Sequence, residues 1–302
     1  MTNASRPGAP RAWRFLMAPA LFVQSLVLFA PLFTIVAMSF QNGTSDAPTS
    51  WSLRHYERAL GEPFRSVLQT SVVLAAEAAA LCLVLGFPVA WFLARCHPRR
   101  KGFWLAVFLA PFALNFLVRI YAWYVILRPG GWVAQLMSWL DVDLVLTSSR
   151  SGLLVGLVYG YLPFAVLPLY AVIDRLDRHL LQAAQDLGAR FWQRLTWVIW
   201  PHCRQGLATA FLLVFIPMLG EYCVPRMLGG GLIATWGTQI EAQFLGSVRP
   251  NWPFGAALAV LLITCLTGAA LLWLMLARLH GRTSRLTQRL TQRLTQRGTP
   301  WR

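Results

Sequence analysis

Three ionisable side chains fall inside long apolar stretches of this sequence: Glu77, Arg119 and Glu221. A charge at the centre of a bilayer costs about 2.5–3.5 kcal/mol on insertion scales, so each marks a candidate functional position. Their chemistry is that of holding and passing ions. A carboxylate attracts a cation and a guanidinium attracts an anion. Nothing nearby supplies a nucleophile with a base, because all five histidines (His55, His97, His179, His202 and His280) lie outside the apolar stretches. The five cysteines are scattered with no C-x-x-C pair, which argues against a zinc site or a disulfide framework. Lys101 is the single lysine and no glycine precedes it, so a phosphate-cradling Gly-Lys-Ser/Thr loop is missing. No catalytic residue, metal ligand or cofactor site is expected within the chain.

Glu221 is the most suggestive of the three. It lies 15 residues past Gly206, about 22 Å into a core of roughly 30 Å. Pro217 and Gly220 precede it and favour a broken helix, the kind of element that lines substrate routes. Tyr222 follows and offers an aromatic face to a cation. A carboxylate beside an aromatic ring suits a protonated amine, although a structural ion pair with Arg119 is equally open. Arg119 lies 17 residues past Gly102, which puts it near the outer boundary, where a long side chain can snorkel to water. A role in the route of an anion is the other reading. Glu77, ten residues into its apolar stretch, falls close to the midplane and faces either the pathway or a partner subunit. Tyr121, Trp123 and Tyr124 cluster near the outer interface, as an aromatic belt or a cation-stacking wall.

What must position these groups is a set of membrane helices. Apolar residues make up 57% of the 302 residues and charged residues only 13%, against roughly 25% in ordinary globular chains. Mean hydropathy is +0.52. A soluble enzyme and a disordered chain are both excluded. Six stretches are long enough to span: 15–40, 67–94, 102–127, 152–173, 206–225 and 254–277. The first is too long for the apolar part of a cleaved signal and reads as a retained helix. With the N-terminus inside, 19 of the 27 basic residues fall in cytoplasmic segments and 7 outside, which sets both termini in the cytoplasm. The formal charge of +16 then faces the anionic inner leaflet, not nucleic acid. The expected organisation is a cytoplasmic segment 1–14, a first helix 15–40, a core 67–277, and a basic tail 278–302 in which LTQR repeats three times.

The loop 174–204, DRLDRHLLQAAQDLGARFWQRLTWVIWPHCR, is too long for a plain connection. Asp174 or Asp177 can cap a helix, and Gly188 suits a helix end that needs a left-handed residue. A second helix would run toward Pro201, giving helix, tight turn, helix.

Here the sequence resembles the inner-membrane permeases of ATP-binding-cassette importers, whose coupling loop reads E-A-A-x3-G-x9-I-x-L-P. The chain has Gln182-Ala183-Ala184, three residues, Gly188, nine residues, then Val198-Ile199-Trp200-Pro201. The resemblance implies that this short helix docks in a groove on a separate ATPase subunit. The usual Glu is Gln182 and the usual Leu is Trp200. A carboxylate could pair with an arginine of the ATPase, whereas Gln182 makes only a neutral hydrogen bond. Asp186, four residues on, shares its helix face and is expected to substitute in part. LGFPVAWFLAR (85–95), LVRIYAWYVIL (117–127), LVYGYLPFAVLPLYAVIDRLD (157–177), VFIPMLGEYCVPRMLGG (214–230) and WPFGAAL (252–258) look closest to putrescine/spermidine permeases. The resemblance implies an all-α, six-helix type I permease in the bacterial inner membrane, with ATP used elsewhere. Its partners would be a second permease, two ATPases and a periplasmic binding protein. Related permeases carry thiamine, ferric ion, phosphonates or opines. A secondary carrier is the alternative, but it would need coupling-ion sites or an inverted repeat.

Overall fold

The computed structural model describes residues 11–44, 47–139, 146–246, 250–271 and 275. The tail 278–302 with its LTQR repeat, and most of segment 1–14, lie outside the described residues.

The chain divides into two compact units, residues 1–56 with 252–302, and residues 57–251. In the first unit, α1 (Arg11–Ser39) carries an apolar stretch, Pro19–Ser39, with no charged side chain on any face, the pattern of a helix surrounded by hydrocarbon or by other membrane helices. A two-stranded antiparallel hairpin follows, β1 (Gln41–Thr44) with β2 (Ala47–Trp51), an addition to the expected all-helical fold. It is tied down locally. The Ser52 amide donates to the Phe40 carbonyl at 2.8 Å, and Ser39 Oγ meets Tyr56 Oη at 2.6 Å. α2 (Arg54–Leu60) begins here, and the unit's last described helix is Trp252–Leu271.

The second unit is built on two long helices, α3 (Phe64–Arg95) and α7 (Arg150–Asp174), with α10 (Trp200–Leu219) packed against both. Small residues make the close approach possible, as in membrane bundles generally. Ala78, Ala79, Ala90, Ala165 and Ala210 are fully buried. A Cβ on Gly86 would press on Val166 across the α3–α7 contact, and one on Gly206 would overlap Val172 across α7–α10. At Gly156 a Cβ would overlap Leu228 and lie 2.9 Å from Val224, both fully buried on the short helix α11 (Cys223–Leu228). Gly156→Val is therefore expected to cost about 1–3 kcal/mol by overpacking, read as a lower melting temperature of the detergent-solubilised chain. An unchanged melt would mean that α7 and α11 do not touch at this point.

The third expected span is not one straight helix. α4 (Pro98–Leu109) passes through a 3-10 turn (Ala110–Ala113), stops, and restarts as α5 (Phe116–Leu127), followed by α6 (Trp132–Trp139). The two arms meet at 81°. Asn115 explains the restart, since its Oδ1 accepts the Leu117 amide at 2.9 Å and so caps α5. Among the described residues, four helices are long and apolar enough to cross a membrane, or six if each of two bent pairs counts as one span. The second bent pair joins 191–204 to 206–219.

Two ion pairs mark the ends of α7. Lys101 Nζ lies 2.6 Å from Asp174 Oδ1 at the end assigned to the cytoplasm by the arginine count, and Arg150 grips both Glu77 oxygens at 2.6 and 3.2 Å at the other end. The Asp174 hydrogen bond raises the Lys101 pKa above its ordinary 10.5.

Candidate functional site

The first site is the elbow within 174–204, on the side that the arginine count assigns to the cytoplasm. Asp177, rather than Asp174, caps α8 (Arg178–Asp186), with Oδ1 accepting the His179 amide at 2.9 Å. Gly188 ends it with φ of +77°. The Gly188 amide donates to Gln185 O and the Ala189 amide to Ala184 O, the paired pattern that closes a helix on a left-handed residue. α9 (Phe191–Arg194) then runs back. Arg194 Nη1 donates to Gln185 Oε1 at 3.1 Å and braces the two arms. The second arm does not stop at Pro201. It passes through a π-turn (Leu195–Ile199) directly into α10. Pro201, in the first turn of α10, brings no amide to the helix, and the wider π-turn lies immediately before it. Leu181 is buried and anchors α8, while Gln182, Ala183, Asp186 and Leu187 are exposed and Ala184 is half-buried. Leu187, at the tip, is 88% exposed, with Trp192 and Trp197 beside it in the chain also open. An apolar tip of this kind is a surface made to be covered.

The second site lies opposite the middle of α7. Tyr161 is 11 residues from Arg150 and 13 from Asp174, about 16 and 20 Å along the helix. Its hydroxyl donates to Glu221 Oε2 at 2.6 Å. Glu221 sits in the break between α10, which ends at Leu219, and α11. Its Oε1 accepts the Cys223 amide at 2.9 Å and the Val224 amide at 3.4 Å. The carboxylate thus caps α11 while its charge stays at mid-depth. The break expected from Pro217 and Gly220 is present. The ion pair with Arg119 is not the arrangement found: Glu221 is held by a phenol and two amides. Tyr222 stays exposed beside it.

Arg119 is not at the outer boundary. The bend before α5 carries it back to the middle of α7, where its guanidinium lies 5.0, 5.6 and 5.9 Å from the ring centroids of Phe112, Phe116 and Tyr159. Its Nε and Nη1 are buried under these rings and meet no hydrogen-bond acceptor among the described residues. Trp123 packs edge-on against Tyr159, 5.3 Å between centroids, and so belongs to this cage. Tyr121 and Tyr124 turn away together and are open. Phe116 also meets Tyr161 edge-on, 6.4 Å between centroids, and so links the arginine cage to the carboxylate.

Glu77 stands apart from this group. It is 13 residues from Phe64 and 18 from Arg95, about 20 and 27 Å along α3, near the middle of that helix. Its partner Arg150 opens α7 instead of lying in a loop. Sequence reasoning did not single out Tyr161, Tyr159, Phe112, Phe116 or Arg150. The usable signal was the density of aromatics at 108–124 and 159–164, which reads as filler until the bend brings them together.

Broken helices around a charged, aromatic midpoint lie in the same unit as the bent segment 174–204. The chain belongs to the family of binding-protein-dependent transport system inner membrane components, whose pattern matches residues 83–282. It is 36% identical to the spermidine/putrescine transport system permease protein PotB of Escherichia coli (strain K12) over 266 residues, 86% of this chain and 94% of that protein. It is 27% identical to the sulfate transport system permease protein CysW of a Synechocystis strain, over 88% of this chain and 94% of that protein. Its fold matches a chain in the crystal structure of a bacterial alginate ABC transporter in complex with alginate pentasaccharide-bound periplasmic protein. The TM-score is 0.67 and the identity 16%, covering 87% of this chain and 93% of that one. The protein is a non-catalytic, multi-pass permease subunit of a binding-protein-dependent ABC importer in the inner membrane.

Proposed function

We propose that this permease carries a polyamine, putrescine or spermidine, received from a periplasmic binding protein and passed along a route that includes Glu221. The observation that supports this is the carboxylate fixed at mid-depth beside Tyr161 and Tyr222. A protonated amine finds there a charge and aromatic faces together. Arg119 does not argue for an anion instead, because its buried nitrogens are turned into three rings and away from water. The 36% identity to PotB points the same way. The remaining partners are a second permease, which completes the route, and two ATPase subunits, which use the ATP and grip the elbow at Gln182–Leu187. Driving the elbow then repacks rigid helices between inward-open and outward-open states.

Binding of ligands to the cognate periplasmic protein tests the substrate. Putrescine or spermidine should bind, with thiamine and phosphonates failing. If every amine fails, the polyamine assignment falls.

A further inference from the structure

A pocket of about 470 Å³ opens behind the elbow, where the inner end of α3 meets α8 and α9. Trp91 and Arg95 line it from α3, Leu181, Gln182 and Gln185 from α8, Phe191 and Arg194 from α9. The chemistry of its lining is lopsided. It holds two guanidinium groups, and among the described residues that line it there is no carboxylate. The Arg95 guanidinium lies over Trp91, 4.6 Å from the ring centroid. Arg194 spends Nη1 on Gln185, and its Nε is buried with no acceptor among the described residues. A buried charged donor without an acceptor is costly, and its presence beside a cavity points to an anion that completes it.

Depth identifies the anion. Arg95 is the last residue of α3, at the end bearing the Lys101–Asp174 pair, and Trp91 is one turn further into the membrane. Tryptophan favours the level of lipid headgroups, and basic pockets between helices on the cytoplasmic side suit phospholipid headgroups. Leu181 and Phe191 supply an apolar wall for the glycerol and first methylenes. We infer that this pocket binds the phosphodiester of an anionic inner-leaflet phospholipid, with Arg95 and Arg194 as its donors. Arg194 also braces α8 to α9, so an occupied pocket holds the elbow at a fixed angle. Lipid charge thereby bears on coupling, independently of what the permease carries.

Native mass spectrometry on the delipidated full chain in detergent tests this, with dioleoyl phosphatidylglycerol, dioleoyl phosphatidylcholine and inorganic phosphate as probes. The first phosphatidylglycerol should bind about tenfold more tightly than phosphatidylcholine, whose cation would face two guanidiniums. Arg194→Gln should weaken phosphatidylglycerol about tenfold, one charge-assisted hydrogen bond being lost. Arg99→Gln, an exposed change outside the pocket, should leave it unaltered. Equal binding of the two lipids by the wild-type chain overturns the inference without any variant. So does an equal loss in Arg99→Gln, which would mean diffuse charge. Displacement of the lipid by inorganic phosphate, or by a purified ATPase subunit, would assign the pocket to a soluble anion or a protein contact and also overturn it.

Discussion

Gly188→Val is expected to lower transport and substrate-stimulated ATP hydrolysis about tenfold or more while leaving the amount of membrane-inserted protein unchanged. The cost comes from the backbone alone. Gly188 sits at φ of +77°, and nothing lies within 4 Å of where its Cβ would be. A side chain in that conformation costs about 1–2 kcal/mol, and a β-branched one is the least suited to it. The strain is relieved by opening the turn that orients α8 against α9, so the tip at Leu187 no longer points where a docking partner would find it. Gly188→Asn is the matching control, because asparagine tolerates the left-handed region, and it should keep most of the activity. Uptake in cells and ATPase assays on the reconstituted complex read both variants. A valine variant that works as well as glycine would show that the bend does not matter to coupling.

Glu221→Gln is expected to reduce polyamine uptake about tenfold or more through the loss of a mid-depth charge, with little change in folding. The substitution separates two roles that the geometry superimposes. Glutamine Oε1 can still accept the Cys223 amide, which the carboxylate accepts at 2.9 Å, so the cap on α11 survives. The Tyr161 hydroxyl, which donates to Oε2 at 2.6 Å, then faces the glutamine NH2 and turns to accept from it. The charge disappears and one hydrogen bond reverses. Tyr161→Phe makes the complementary change, leaving the charge and removing one hydrogen bond, and should reduce uptake less. Initial rates over a range of putrescine concentrations should show the Glu221→Gln loss chiefly as a raised KM. Unchanged amine uptake in this variant would reduce Glu221 to a helix cap.

The elbow was legible in the sequence because all its information is local. The spacing from Gln182 to Pro201 survives folding, and Gly188 announces the left-handed turn that the structure contains. Asp177 was one of two named caps, and the break near Gly220 followed from Pro217 and Gly220. The mid-depth site was less legible because depth was counted along straight helices. Such a count carries Arg119 to the outer boundary, but the 81° bend before α5 returns it to the middle of α7. The bend is set by a cap at Asn115 inside an otherwise apolar run, which a hydropathy average does not register. Glu77 stays near the middle of α3, as a count from residue 67 has it, because the helix extends only three residues further out. Its partner Arg150 is 73 residues away, a pairing that no local spacing encodes.

With the five native cysteines replaced by alanine, a single cysteine at the elbow tip probes whether the ATPase grips this permease there. Leu187→Cys, at an 88% exposed position, can be placed in inverted and right-side-out membrane vesicles that contain the whole importer. A bifunctional maleimide should cross-link the introduced thiol to the ATPase subunit, from the cytoplasmic side only and with a yield that ATP changes. Labelling from the periplasmic side, or an elbow that meets no ATPase in any nucleotide state, would contradict coupling through this loop.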